Sequence, residues 1–128
     1  MRFLESLHVL GQKVLEGKIS TARKPFFIGS YEAYPGPAPS IGEALEALIH
    51  LMEKDHAKRW IGATQIYILP GYKFRVCEGL VTNFHMPETT LMLLVAALVG
   101  EKWKRIYQEA LNNDYRFLSY GDSSLLMP

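Results

Sequence analysis

With 128 residues, 48% of them hydrophobic and 21% charged, the chain has the size and make-up of one globular domain with a single core. A formal charge of +1 excludes a bulk electrostatic pull toward nucleic acid, so any such binding has to come from a local patch. Seven tyrosines and six phenylalanines argue against disorder, and the single cysteine, Cys77, excludes an intramolecular disulfide or a cysteine metal cluster.

Leu4, Leu7, Val14 and Leu15, with Phe3 and Leu10 nearby, keep a helical period over about residues 2–16, and Gly17 is placed to stop it. A helix that begins beside Met1 leaves no room for an N-cap residue, which points to further chain upstream. From residue 18 to 39 the period lapses: Phe26-Phe27-Ile28 suits a short strand, and YPGPAPS, residues 34–40, is a proline-broken connector. Ser40-Ile41-Gly42-Glu43 fits a capping box, in which the Ser hydroxyl and the Glu carboxylate satisfy each other's backbone N–H groups. The helix that follows is expected to turn Leu45, Leu48, Ile49 and Met52 inward. Lys54, Lys58 and Arg59 near its end match the helix dipole, so a solvated face explains them more simply than an RNA patch.

Between residues 64 and 82 the period changes to two. Ile66 and Ile68 alternate with Gln65 and Tyr67, Pro70-Gly71 makes a turn, and Tyr72, Phe74 and Val76 alternate with Lys73, Arg75 and Cys77; two strands are expected. Glu78-Gly79 then reads as the turn of a hairpin to Leu80-Val81-Thr82. Leu91 to Val99 is apolar on every side, which predicts a helix buried on all faces. This run is far shorter than the roughly 20 residues that cross a bilayer, and Met1-Arg2-Phe3 opens no signal-peptide pattern, so a cytoplasmic protein without membrane contact is expected. After Gly100, the stripe Trp103, Ile106, Tyr107, Ala110 and Leu111 predicts a packed helix ending at Asn112-Asn113. Tyr115 to Tyr120 reads as a last strand before the turn Gly121-Asp122. Strands alternating with helices predict one α/β domain over residues 1–128, a layered, Rossmann-like sheet with flanking helices.

Phosphate-loop, dinucleotide, zinc-protease and nucleophile-elbow signatures are absent. His8, His50 and His56 lie in or near helices with nothing acidic or metal-binding spaced to serve them. The stretch TNFHMPETTL, residues 82–91, is different. Pro87 suits the first helical position, which would leave the amides of Glu88, Thr89 and Thr90 free at an anion-favouring helix end. Asn83 and His85, at period two, would face the same side of the incoming strand. Spacing alone leaves a chemical site and a plain turn both open. The Gly-Asp of YRFLSYGD, residues 115–122, likewise fits an ordinary strand exit.

The residues themselves supply more. TQIYILPGYKFRVCEGLVTNFHMPETTLMLLVAALVG, residues 64–100, followed by DYRFLSYGDSSLL, residues 114–126, resembles the C-terminal part of the S-adenosylmethionine:tRNA ribosyltransferase-isomerases of queuosine biosynthesis. PGYxF, TNFHxP, the apolar helix and YRFxSYGD stand in the family's order, and RFLESL near Met1 resembles its preceding helix. The resemblance implies transfer and isomerisation of the ribosyl group of S-adenosylmethionine onto an aminomethyl-deazaguanine base at the tRNA wobble position. Epoxyqueuosine would form, with release of adenine and methionine. No metal or prosthetic group is implied; S-adenosylmethionine is a substrate and the anticodon of tRNA a partner.

The resemblance also implies roles. Carbon beside a sulfonium is acidic, so a positioned base can begin the reaction, and His85 is a candidate acid or base, with Asn83 and Asp122 beside it in the catalytic set. Tyr72, Phe84 and Tyr120 are candidate aromatic faces for the sulfonium. The amides after Pro87, with Thr89 and Thr90, suit the methionine carboxylate, and Asp122 a ribose hydroxyl or the ammonium. Arg75 and Gly121 join the substrate-binding set by their place in the matched motifs. The chain departs from the family pattern at Glu88 and Thr89, where a basic residue and Ser are usual. The family also extends upstream through a further strand and an inserted β-barrel domain that this sequence lacks. The implied fold is therefore an incomplete α/β domain, a truncated form inactive by itself, its open sheet edge covered by self-association or by a missing N-terminal half. The alternative is a non-catalytic module that binds tRNA or S-adenosylmethionine, or a partner subunit.

Overall fold

The computed structural model describes residues 1–33 and 37–128; the first three residues of the proline-broken connector lie outside the described residues. The fold is mixed α/β, as the alternation predicts, with four helices and two two-stranded sheets, and no barrel among the described residues. It comprises two compact units, Met1–Tyr67 and Ile68–Pro128.

The first unit is a β–α–β arrangement preceded by a helix. Helix α1 (Arg2–Leu15) has Met1 at its N-cap without a side-chain cap, and its polypeptide leaves the helix through Gly17 at φ +71°. Strand β1 (Phe26–Ile28) and strand β2 (Gly62–Thr64) pair in parallel, with Phe26 opposite Gly62, a pairing that needs a crossover; helix α2 (Ile41–Lys54) supplies it. The capping box forms: the Ser40 hydroxyl accepts from the Glu43 amide, and the Glu43 carboxylate accepts from the Ser40 amide at 2.8 Å. Val9, Leu10, Ile28 and Leu48 form the core, flanked by Val14, Phe26 and Trp60.

Helix α2 turns inward a different stripe from the expected one. Ala44, Leu48 and Leu51 are buried, whereas Leu45 and Ile49 are 38% and 57% exposed. The cause is the crossing with α1: a Cβ on Gly11 would lie 2.3 Å from the Ala44 carbonyl oxygen, so the two backbones nearly touch there and Ala44 must face inward. Polar ties complete the unit. The Ser6 hydroxyl donates to the Arg2 carbonyl and lies 2.6 Å from the Thr64 hydroxyl, which joins α1 to β2. The buried His8 has its Nε2 2.8 Å from the Pro39 carbonyl, an acceptor only, so Nε2 carries a proton.

In the second unit the expected hairpin is replaced by a longer-range pairing. Strand β3 (Leu80–Asn83) pairs antiparallel with β4 (Ser123–Leu126), with Thr82 opposite Ser124 and Asn83 opposite Ser123. Residues 66–68 and 72–77 are not strands, although Ile66, Ile68 and Tyr72 are buried as their alternation predicts. Alternation reports which side chains face a core; a strand also needs a continued ladder, and the parallel pairing with β1 ends at Thr64, beyond which the Gln65 and Tyr67 N–H groups still donate to the Ile28 and Ser30 carbonyls at 2.9 Å. The Tyr115–Tyr120 strand is likewise absent. One bridge, Phe84 with Phe117, is all that forms before the chain turns at Leu118, whose φ is +70°.

Helix α3 (Thr90–Val99) starts later than Pro87. Glu88 has φ +64°, which no helical residue adopts, so Pro87 and Glu88 form a turn and Thr89 becomes the N-cap. Met92, Leu94, Val95, Leu98 and Val99 are buried while Leu91 at the helix start is 40% exposed, so the helix is buried on most rather than all faces. Helix α4 (Lys102–Asn112) buries Tyr107 and Ala110 and leaves Leu111 exposed.

The Gly11–Ala44 crossing is directly testable. Gly11→Ala improves helix propensity by about 1 kcal/mol but forces backbone apart from backbone, and overpacking of this kind costs about 1–3 kcal/mol or more. Denaturant unfolding of the Gly11→Ala variant is expected to show net destabilisation.

Candidate functional site

The two motifs singled out in the sequence meet at the end of β3. Asn83 sits at the last rung of the ladder, and its side chain is bonded at both ends: Nδ2 donates to the Leu118 and Ser119 carbonyls at 3.0 and 3.3 Å, and Oδ1 accepts from the Ser123 hydroxyl at 2.7 Å. Backbone bonds run alongside. Phe84 N–H donates to the Asp122 carbonyl, and Leu118 N–H donates to the Phe84 carbonyl at 2.8 Å. The segment from Arg116 to Ser123 is thereby stitched to TNFH.

That segment is closed on itself by Asp122. Its Oδ2 accepts from the Arg116 backbone N–H at 2.7 Å, its own N–H donates to the Arg116 carbonyl at 2.8 Å, and Oδ1 lies 3.6 Å from the Arg116 guanidinium. The Arg116 N–H bond and the guanidinium charge hold the Asp122 carboxyl below the usual carboxylate range. Gly121 is required where it stands, since a Cβ there would lie 2.3 Å from the Arg116 carbonyl oxygen. Tyr120, next to it, is 96% exposed.

Phe84 anchors the whole. It is buried, stacked on Tyr115 at 5.6 Å between ring centroids, edge-on to Tyr107 at 5.5 Å and tilted against Phe117. A ring so enclosed has little face left for a cation, so its part in the site is to fix the strand end. Tyr72, also buried, packs edge-on against Phe74 at 5.1 Å. Of the three aromatic candidates, only Tyr120 presents an open ring. Arg75 is exposed, on the irregular segment before β3.

His85 follows Phe84 directly. Its backbone N–H donates to the Tyr107 hydroxyl at 3.1 Å, and its Nε2 lies 2.7 Å from the Thr82 hydroxyl. Burial pushes the imidazole pKa below its ordinary value. The Thr89 hydroxyl is committed to the helix start, accepting from the Met92 N–H and donating to the Met86 carbonyl at 2.9 Å. The amides of Thr90 and Leu91, in the first turn of α3, have no intrahelical acceptor, so the anion-favouring set lies further along the chain than Pro87 implied. Beside His85, an apolar groove of about 580 Å³ is lined by Met86, Pro87, Trp103, Tyr107 and Phe117, with Lys104 and Gln108 on it. Among the described residues no group of three or more His, Cys, Asp or Glu side chains is placed to hold a metal ion, and no helix is long and apolar enough to cross a membrane.

The structure thus joins Asn83, Phe84, His85, Gly121 and Asp122 by direct bonds or adjacency. Thr82, Tyr107, Arg116 and Ser123 belong to the same network; they stand in the quoted motifs or in the α4 stripe, but nothing in the sequence singled them out for the site. Thr82 and His85 are three apart, out of phase for a strand, and they meet only because β3 ends at Asn83.

Small sheets with flanking helices and a polar cluster at the strand end define a mixed α/β protein whose site is built from loop ends. The sequence pattern of the family described as "Queuosine biosynthesis protein" matches residues 41–126, and the chain belongs to that family. It is 47% identical over 103 residues to the S-adenosylmethionine:tRNA ribosyltransferase-isomerase of Cereibacter sphaeroides, covering 79% of this chain and 30% of that protein. It is 41% identical over 125 residues to the protein of the same name from Chlorobaculum parvum, covering 93% of this chain and 36% of that one. The crystal structure of S-adenosylmethionine tRNA ribosyltransferase from Thermotoga maritima superposes with a TM-score of 0.51 at 34% identity, over 65% of this chain and 31% of that one. The chain therefore spans about a third of the length of these relatives.

The lowered pKa of His85 fixes the sign of a pH effect. Its folded value lies below the unfolded one of about 6.5, so the stability it contributes is present above that value and is lost as pH falls through the folded pKa. Thermal melts between about pH 8 and pH 5 are expected to show the unmodified chain losing stability relative to His85→Gln. Asp122 acts in a separate, lower window, its contribution being lost only below the ordinary carboxylate range.

Proposed function

We propose that this chain forms the C-terminal part of an S-adenosylmethionine:tRNA ribosyltransferase-isomerase, acting in the cytoplasm on the wobble base of queuosine-type tRNAs with S-adenosylmethionine as ribosyl donor. The observation that carries the reading is the interlocking of TNFH with the Arg116–Ser123 segment, which sets His85, Asn83 and Asp122 at one strand end in a chain that matches relatives of that name. In this reading the segment is one domain piece of a larger active site, and the remaining two thirds of the enzyme supply the facing wall.

Each role follows from the chemistry of the group. His85, kept neutral near physiological pH by burial, is the acid or base. Asp122, kept ionised, holds a ribose hydroxyl or the substrate ammonium. Tyr120 offers its open ring to the sulfonium. The first amides of α3, at Thr90 and Leu91, suit the methionine carboxylate, although Glu88 in the preceding turn opposes an anion there. Asn83 keeps the wall in register through its three bonds, and Arg75, exposed before β3, is a surface cation for the substrate-binding set.

The test grafts this segment in place of the matching third of a full-length relative and follows adenine release from S-adenosylmethionine with precursor tRNA. His85→Gln is expected to lower kcat by about 10²–10⁴-fold, the range for loss of a positioned acid or base. Unchanged turnover removes His85 from the reaction, and the same readout serves for Asp122→Asn and Asn83→Ala. A second reading, a binding module without turnover, is favoured by the compactness of the two units, each with its own internal contacts. Calorimetry of the isolated chain with S-adenosylmethionine separates the two: heat of binding without adenine release supports the module.

Exposed apolar side chains support the idea that part of the surface is covered in a larger assembly. Val81 and Leu125, opposite each other on the β3–β4 ladder, are 72% and 69% exposed, and Ile61 beside β2 is 64% exposed. The isolated chain is therefore expected to self-associate, and light scattering at high concentration showing only monomer overturns this.

A further inference from the structure

The contact between His85 and Thr82 carries more than a distance. A threonine hydroxyl has one proton to give, and a neutral imidazole has one protonated and one bare nitrogen. Oγ1 of Thr82 is 2.7 Å from Nε2 of His85, and among the described residues Nε2 is the partner of that half-buried hydroxyl. The Thr82 carbonyl is taken by the Ser124 hydroxyl at 3.1 Å, so it is already served from the opposite strand. If Nε2–H donated to Oγ1, the hydroxyl proton would have no acceptor among the described residues; if the hydroxyl donates to a bare Nε2, both groups are satisfied within the protein. The second arrangement leaves the ring proton on Nδ1.

Nδ1 is also the open nitrogen. The hydrogen bonds of His85 use Nε2 and the backbone N–H, and the buried side-chain nitrogens without a partner among the described residues belong to Arg2 alone, so Nδ1 reaches solvent. The His85 backbone is tied to the Tyr107 hydroxyl, and the preceding Phe84 is wedged among Tyr107, Tyr115 and Phe117.

We propose that Thr82 is the positioning residue of His85: its hydroxyl donates to Nε2 and fixes the neutral ring with its proton on the outward Nδ1, so that His85 meets its substrate as a hydrogen-bond donor. The ligand atom opposite it is then an acceptor, such as a ribose hydroxyl oxygen or a bare ring nitrogen of a purine. The inference rests on the proposed function for the identity of the substrate, and within it decides between the roles of base and donor in favour of donor. In that reading a group elsewhere in the complete enzyme removes the proton from the carbon beside the sulfonium.

The test needs no turnover. Ring ¹⁵N and ¹H NMR of the labelled chain at about pH 8.5, with the His85 signals assigned by their loss in His85→Gln, reads the tautomer directly. The expected spectrum shows protonated Nδ1 and bare Nε2 in the unmodified chain, unchanged in Thr82→Ser and shifted toward protonated Nε2 in Thr82→Val. Protonated Nε2 in the unmodified chain overturns the proposal, as does a tautomer that is the same in Thr82→Val. Should Thr82→Val not fold, the unmodified chain and Thr82→Ser still decide it. Because the readout is taken without substrate, its failure is distinct from failure of the proposed function, which the adenine-release assay on His85→Gln reports.

Discussion

The second unit depends on the way one strand end is held by a segment far away in the chain. Phe84 exchanges backbone bonds with Leu118 and Asp122, and Asn83 adds three side-chain bonds on the same side. Once these form, little else is adjustable. Phe84 must enter the ring cluster, Gly121 must bring the segment against the Arg116 carbonyl, and His85 must leave the strand pointing back toward Thr82. Leu118 accepts a left-handed backbone, normally worth about 1–3 kcal/mol of strain for a residue with a side chain, because its N–H is secured by the Phe84 carbonyl.

The same constraint separates the polar groups into two kinds. Asn83, Thr89 and one oxygen of Asp122 are spent on structure, each closing a turn, a cap or a loop. Tyr120 and one nitrogen of His85 remain turned outward, with Arg75 exposed on a neighbouring stretch. A site made this way is rigid in its frame and sparing in its contacts. It fits a role as one wall of a cleft, in keeping with a chain that spans about a third of its relatives.

Helices were legible in the sequence because their signals are local. The capping box at Ser40, the stripe ending at Asn112 and the apolar run after Thr90 each contain everything needed to form them. Strands were legible only as burial. Ile66, Ile68 and Tyr72 are inside, yet residues 66–68 and 72–77 belong to neither sheet, while Leu80–Asn83 pairs with residues 123–126 rather than with its neighbour. Pairing depends on tertiary choices that alternation does not encode. The candidate site was half legible for the same reason: His85, Asn83 and Asp122 were singled out by their motifs, but the contacts of His85 with Thr82 and Tyr107 arise only in the folded chain. The start of α3 was misplaced because proline suits a turn as well as a first helical turn, and the left-handed Glu88 decides for the turn.

The β3–β4 ladder also has a temporal side. Its side-chain ties span 40 residues between Asn83 and Ser123 and 42 between Thr82 and Ser124. Closing a loop of that length costs entropy before any contact repays it, whereas α3 and α4 can form from neighbours alone. The ladder is therefore a late event in folding, and everything at the end of β3 waits for it. The polar groups around His85 and the strand pairing belong to one cooperative unit, which opens to hydrogen exchange together or not at all.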